Sequence, residues 1–254
     1  MFIQNMTSDE LVQEYRADIP EIEKNNERID KSTYVSDLLR KGRKKDSVSF
    51  VRYCKTTRNN TYINVFQYFK KERSTRKSVH WDWRVYSFGL MQTYKGTCAI
   101  GFFDNAGLAI VFQPHFFNRY KERFMKECDW QVKNALCQAK KVEDIIPIYI
   151  RRNPNTTWIN TKSKFNGKEH IFAPVNDGVA LIQWDGKYIQ ANTFITETMY
   201  SEQQHEMVGK ARCVEQLQQE KDKLFQKLVT LMCNDTLDNN SQLNSLQLCK
   251  EKNL

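Results

Sequence analysis

The strongest constraint on the fold is a β-hairpin in the last third of the chain. Two apolar-rich runs, 179–184 and 188–194, flank the dipeptide Asp185–Gly186. Asp-Gly is typical of a two-residue type I′ turn, because both central residues of that turn need positive φ. The sequence therefore predicts two antiparallel strands here. The second strand ends on small hydroxyl residues, Thr193 and Thr196.

A hydrophobic period of two residues predicts further strands upstream of the hairpin. These predicted strands are 47–53, 62–69, 81–88, 97–103, 108–112, 145–150 and 170–173. Residues 153–168 are rich in Asn, Thr and Lys, so we predict a loop there.

Helical periodicity appears at both ends of the chain and between the strands. Two helices are predicted before residue 40, the first capped at Ser8–Glu10 and the second opening at Pro20. A central helix pair is predicted to begin near His115 and near Asp129. Spaced leucines predict a long amphipathic helix over 201–233.

Together these elements predict an α+β fold: an antiparallel sheet with N-terminal helices, a central helix pair and a long C-terminal helix. We divide the chain into an N-terminal helical segment (1–39), an α+β core domain (40–200), the long helix (201–233) and a tail expected to be disordered (234–254).

Composition narrows the class of protein. Apolar residues make up 40% of the chain, which is enough for a packed core, and the seven cysteines are scattered without a Cys-x-x-Cys pair. We therefore predict neither a disulfide framework nor a metal site, and the absence of nucleotide-binding motifs predicts no cofactor. No apolar run reaches membrane-spanning length and no leader is evident, so we expect a cytoplasmic protein without membrane contact.

Positive charge is concentrated in one segment. The net charge is +9, yet residues 40–77 alone hold thirteen Lys and Arg against Asp46 and Glu72. Such a local field predicts a surface for a polyanion, with two nearby tryptophans able to stack on bases. The predicted nucleic-acid contacts are Arg40, Lys41, Arg43, Lys44, Lys45, Arg52, Lys70, Lys71, Arg73, Arg76, Lys77, Trp81 and Trp83. The alternative is a solvated lysine-rich face whose tryptophans belong to a strand core.

A second candidate site lies in the run from His115 to Phe124. In a helix, His115, Arg119 and Arg123 form one stripe, beside a buried face made of Phe116, Phe117, Tyr120 and Phe124. A histidine can move a proton near neutral pH and two arginines can hold an oxyanion, which is the chemistry that a phosphate needs. The alternative is ordinary surface charge, with Glu122 pairing with Arg119.

This stripe resembles the His-x-x-x-Arg helix domains grouped with the barnase, EndoU, colicin and RelE-like ribonuclease toxins. The resemblance covers about 109–199 and rests on His115, Arg119, Glu122 and Arg123, together with the strand 190–196. It implies a metal-independent endoribonuclease in which His115 is the general acid or base and both arginines stabilise the phosphorane. Thr193 or Thr196 would then donate a hydrogen bond to a phosphate oxygen. The basic segment, residues 40–77, would hold the RNA strand on either side of the cleaved bond.

Two further hypotheses stay open. One is a non-catalytic nucleic-acid-binding protein that uses the basic segment with Trp81 and Trp83, with RNA favoured over DNA as the partner. The other is a protein-interaction module, in which 207–233 docks on a partner protein or on a second copy of the chain.

Overall fold

The computed structural model describes residues 1–4, 6–71, 79–103, 108–153, 161–165, 168–184, 186–202, 205–206 and 208–210, and single positions as far as Leu224. The chain divides into two compact units, residues 1–205 and 206–254. Every helix and strand bounded below belongs to the first unit. Its fold is α+β, as predicted.

Nine strands form one sheet in the described part of the chain, in the order β1-β2-β3-β4-β5-β9-β8-β7-β6. They are β1 Ser47–Lys55, β2 Thr61–Lys70, β3 Trp81–Thr93, β4 Gly96–Phe103, β5 Leu108–Phe112, β6 Thr161–Phe165, β7 Lys168–Val175, β8 Gly178–Trp184 and β9 Ile189–Ile195. All neighbours are antiparallel except β5 and β9, which run parallel. The predicted hairpin is confirmed as β8–β9, but its two-residue turn is wrong. Trp184 pairs with Ile189, so four residues connect the strands, and among them Gly186 has a φ of 96°.

Helices cover both faces of this sheet. On one face lie α1 (Ser8–Asp30) and α2 (Thr33–Lys41), and on the other lie α3 (Phe116–Phe124), α4 (Trp130–Gln138) and α5 (Val142–Arg152). Alternate residues of each strand point to opposite faces. In β2, Ile63 and Val65 join the core under α3–α5, while Tyr62 packs under α1 and Phe66 under α2.

The N-terminal helices divide at a different place from the one predicted. Pro20 was expected to open the second helix, but it lies inside α1, whose N-cap is Thr7 in a capping box with Glu10. Proline removes one backbone hydrogen bond, yet residues on both sides of Pro20, such as Tyr15 and Ile22, are buried against the sheet. The helix therefore continues to Asp30, and Ser32 caps α2.

The strand predicted over 145–150 is wrong, because these residues belong to helix α5. Short apolar runs fit a buried strand or a buried helix equally well. Ile145, Ile146, Tyr149 and Ile150 lie at helical spacing and are all buried, and the helix contains Pro147. The central helix pair thus has a third member, and β6 lies where a loop was predicted.

The predicted helix over 201–233 lies largely outside the described residues, as does the tail 234–254. The residues that are described between Glu202 and Leu224 are helical. A single long helix stays a prediction.

Candidate functional site

Helix α3 presents the face that the sequence predicted. Phe116, Phe117, Tyr120 and Phe124 are all buried, and the rings of Tyr120 and Phe194 meet at a centroid distance of 5.0 Å. Since this packing fixes the rotation of α3, its polar side faces outward. His115 is the N-cap residue and is exposed, so it precedes the first turn of the helix instead of lying in it.

Arg123 joins α3 to strand β9. Its guanidinium donates to the carbonyl oxygen of Phe194 and, at 3.4 Å, to the hydroxyl of Thr193. Burial lowers the pKa of Arg123, and repulsion from Arg119 lowers it further. Arginine nevertheless keeps its charge at neutral pH, so Arg123 is a half-buried cation beside a second one.

An open groove of about 1010 Å³ runs along this side of α3. Its lining residues include Arg119, Lys121, Arg123, Lys126, Lys133, Glu122, Glu127, Thr196 and Thr198. Five cations thus face two carboxylates. Thr196 is buried at the groove wall, 3.3 Å from the hydroxyl of Thr198, which donates to Glu127. A groove of this composition can hold an anion.

The structure separates His115 from part of the predicted catalytic set. Arg119, Arg123 and Thr196 line the groove, Thr193 contacts Arg123, and His115 is not among the lining residues. His115 precedes Arg119 by one helical turn, about 6 Å along the axis, and Arg123 by about 12 Å. Arg119 also pairs with Glu122 at 2.9 Å on an exposed surface, as the surface-charge alternative predicted.

A buried polar network under α3 escaped the sequence analysis. The carboxylate of Asp177, in the β7–β8 turn, accepts hydrogen bonds from Tyr120 at 2.8 Å and from Arg152 at 2.8–2.9 Å. Burial, followed by the Asp177 charge, raises the pKa of Tyr120, so its hydroxyl stays protonated and donates. The signal in the sequence was Asn176–Asp177–Gly178, a turn motif at which Gly178 has a φ of 151°.

The second candidate site centres on residues 40–46, here called the basic turn. Arg40, Lys41, Arg43, Lys44 and Lys45 are all exposed. Gly42 is buried beneath these side chains. It lies so close to β1 that a Cβ at this position would be 2.4 Å from Cγ2 of Val48. The Lys70 amide donates to the Asp46 carbonyl at 2.9 Å, which places Lys70 and Lys71 beside the basic turn.

Few carboxylates neutralise these cations. Arg40 pairs with Asp37 at 2.9 Å and Lys71 with Asp82 at 3.2 Å, both on exposed surface. The other cations of this group make no ion pair with the described residues. They are Lys41, Arg43, Lys44, Lys45 and Lys70. The basic turn therefore keeps an excess of positive charge.

The remaining predicted contacts are engaged in packing or lie elsewhere. Trp83 stacks on Phe66 and Tyr68 at 6.3 and 6.4 Å, and Trp81 packs against the core under α2. Arg52 lies over the rings of Tyr34 and Phe50 at 4.2 and 5.4 Å. Both tryptophans thus pack against aromatic neighbours but neither is buried: Trp81 is partly exposed and Trp83 is 38% exposed. Arg73, Arg76 and Lys77 lie outside the described residues.

The two candidate sites lie at opposite ends of the sheet. The basic turn adjoins the end of β2, opposite Trp81 at the start of β3. The start of α3 lies near the other end of β3. Pro114, just before α3, lies 3.4 Å from the position that a Cβ on Gly96, the first residue after the β3–β4 turn, would occupy. The thirteen residues of β3 span about 40 Å. A nucleic-acid strand would have to cover that distance to contact both sites.

No family model, no curated protein and no solved structure matches this chain. The resemblance to ribonuclease toxins therefore rests on the residues quoted for it. Within the described residues, no group of three or more His, Cys, Asp or Glu side chains could hold a metal ion. None of the helices described is both long enough and apolar enough to cross a membrane.

Proposed function

We propose that the protein binds single-stranded nucleic acid through the basic turn and the adjoining Lys70 and Lys71. The observation that supports this best is the row of exposed cations without carboxylate partners among the described residues. Lysine and arginine bind phosphates by displacing condensed counterions, so such a row needs no particular base sequence.

The fold gives the cations a fixed support. The close approach of Gly42 to Val48 and the hydrogen bond from Lys45 to the Gly42 carbonyl, at 2.8 Å, hold the basic turn at the sheet end. Because the backbone is already ordered, binding would require only side chains to lose freedom. The ring of Trp83, which is 38% exposed, lies on β3 beside Tyr68 of β2 and adds an aromatic surface for a base.

The experiment measures fluorescence anisotropy of labelled single-stranded RNA and of DNA with the same sequence, at several salt concentrations. Neutralising about five phosphates predicts that log K falls with log salt at a slope of about −3.5. Lys44→Ala should make the slope shallower by about 0.7, one phosphate contact. The control is Lys187→Ala, which removes the same formal charge from the β8–β9 connection, where Lys187 pairs with Asp9 at 3.3 Å.

An affinity that does not change with salt would contradict the proposal. Equal effects of Lys44→Ala and Lys187→Ala would also contradict it, because net charge alone would then govern binding. We expect RNA to bind more tightly than DNA, an expectation that rests on the resemblance.

A metal-independent endoribonuclease is a second candidate, favoured by the α3 groove. Arg119, Arg123 and Thr196 line one electropositive groove, and an anion held by Arg119 lies one helical turn from His115. His115 and Arg119 would then act together, while Arg123, already bonded to β9, would supply a fixed positive charge.

Cleavage of single-stranded RNA in the presence of EDTA tests this candidate. We expect the wild type to cleave, His115→Ala to abolish cleavage, and RNA binding to stay within about twofold because His115 is remote from the basic turn. Equal cleavage by wild type and His115→Ala would remove His115 from the mechanism. Binding without any cleavage would support only the non-catalytic function.

A further inference from the structure

Trp130, the first residue of α4, is the most exposed tryptophan in the described part of the chain. It is 73% exposed, against 41% for Trp184 and 38% for Trp83. No aromatic ring or cation among the described residues stacks on it. Tryptophan is highly buried on average, because its large apolar surface is costly to leave in water. A ring held in solvent by an ordered helix is therefore a candidate contact for a ligand.

The packing of α4 holds this ring outward. Val132 and Leu136 lie four positions apart and pack against the core under α3–α5. At about 100° per residue, Trp130 lies roughly 160° around the helix from Val132. Asp129 caps the helix by accepting a hydrogen bond from the Val132 amide at 3.0 Å, so the first turn is fixed.

The ring lies at the rim of the α3 groove. Lys133 follows Trp130 by three positions, so the two side chains are neighbours on the surface of α4. Lys133 lines the groove, together with the apolar side chains of Met125 and Met199. Met199 is 47% exposed. The groove therefore combines cations and apolar surface, with an aromatic ring at its edge.

The groove holds more positive charge than its own carboxylates neutralise. Glu122 pairs with Arg119 at 2.9 Å, and Glu127 accepts a hydrogen bond from the hydroxyl of Thr198. The cations that line the groove without a carboxylate partner in the described part of the chain are Lys121, Arg123, Lys126 and Lys133. Such a groove attracts an anion.

We propose that the α3 groove is a second site for single-stranded nucleic acid, with a phosphate beside Arg123, Lys126 and Lys133 and a base stacked on Trp130. A nucleotide supplies both an anion and a planar ring, which is the combination that cations beside an exposed aromatic ring recognise. The carboxylates of an acidic peptide would satisfy the cations but leave the ring uncovered. The class of ligand rests on the proposed function, whereas the site is separate from the basic turn.

The two sites can be filled separately. They lie about 40 Å apart along β3, whereas five nucleotides cover about 17 Å at a stacked spacing of about 3.4 Å. A five-nucleotide strand therefore occupies one site at a time, and the wild type should bind two such strands. The basic turn alone would bind one.

Equilibrium binding of a five-nucleotide oligouridylate to the full chain tests the proposal. The triple variant Arg43→Ala/Lys44→Ala/Lys45→Ala disables the basic turn and should still bind one strand. Adding Trp130→Ala to the triple variant should weaken this remaining binding about fivefold or more, because one stacking contact is lost. Trp130→Phe keeps a ring and should restore most of the affinity. Thermal unfolding confirms that each variant folds.

An abasic oligomer with the same phosphates separates stacking from a structural role of the tryptophan. Trp130→Ala should leave the affinity for this oligomer unchanged, since there is no base to stack. Lys133→Ala should weaken binding of both oligomers, because it removes a phosphate contact. The matched control is Tyr94→Ala, which removes a ring that is 78% exposed beside Lys95 in the β3–β4 turn and should change neither affinity.

Four results would overturn the proposal. These are a triple variant that binds no oligouridylate, an unchanged affinity in Trp130→Ala, an equal loss for the abasic oligomer, and a pentaglutamate peptide that binds the triple variant as tightly as the oligouridylate. The proposed function fails by a different result, namely a triple variant that binds as many strands as the wild type.

Discussion

The substitution Asp177→Asn should be among the most destabilising conservative changes in this protein. The Asp177 side chain is 2% exposed and faces Arg152, whose side chain is 33% exposed. Asparagine keeps the shape of the aspartate side chain, but its NH2 group is a donor. It would face the donors of Arg152 or Tyr120, so a hydrogen bond would be lost there. Removing one member of a fully buried ion pair typically costs about 3–5 kcal/mol, but Arg152 keeps access to water, so we expect about 1.5–3 kcal/mol, the range for hydrogen bonds to charged groups.

Urea unfolding followed by tryptophan fluorescence measures this change in the free energy of unfolding. The double variant Asp177→Asn/Arg152→Met should lose less than the sum of the single variants, by about 1.5–3 kcal/mol. Methionine keeps the apolar stem that packs on Phe124, where the Arg152 guanidinium lies 4.8 Å from the ring centre. Additivity within about 0.5 kcal/mol would refute the argument that Asp177 and Arg152 act as one unit.

Two other changes test the N-terminal half. The Arg58 guanidinium holds the pKa of Glu14 at about 2, below its usual 4.5, so the ionised form stabilises the fold above pH 4.5 and that contribution is lost as the pH falls towards 2. Acid titration of stability should therefore be shallower over this range for Glu14→Gln, and an unchanged titration curve would count against the pair. Gly42→Ala places a Cβ 2.4 Å from Val48 and should lower the free energy of unfolding by about 1–3 kcal/mol, as judged by thermal unfolding. A neutral effect would mean that the basic turn can shift away from β1.

The sequence was informative wherever local chemistry decided the structure. The β8–β9 hairpin and the apolar face of α3 were predicted because each depends on residues close together in the chain. The sequence was misleading where tertiary packing overrides local preference. Pro20 lies inside a helix, and the apolar run at 145–150 is a buried helix instead of a strand.

The candidate site shows the same division. The sequence correctly placed Arg119 beside Glu122, three residues away on one helix. It could not show that Arg123 bonds to β9, or that Asp177 reaches Tyr120 across 57 positions, since both contacts depend on the fold. Nor could it show that the basic turn and α3 lie at opposite ends of β3, because strand order sets that distance.

The parallel pairing of β5 with β9 has a consequence for folding kinetics. The pairs β1–β2 through β4–β5, and β6–β7 through β8–β9, each join strands that are consecutive in the chain, so each half of the sheet can form from local hairpins. The joint between the halves brings Ile110 to Ile189, about 80 positions later, which requires closure of a long loop through α3, α4 and α5. We expect the joint to form last. Substitutions there, such as Val111→Ala, should mainly speed unfolding, while those in the β2–β3 hairpin should slow folding.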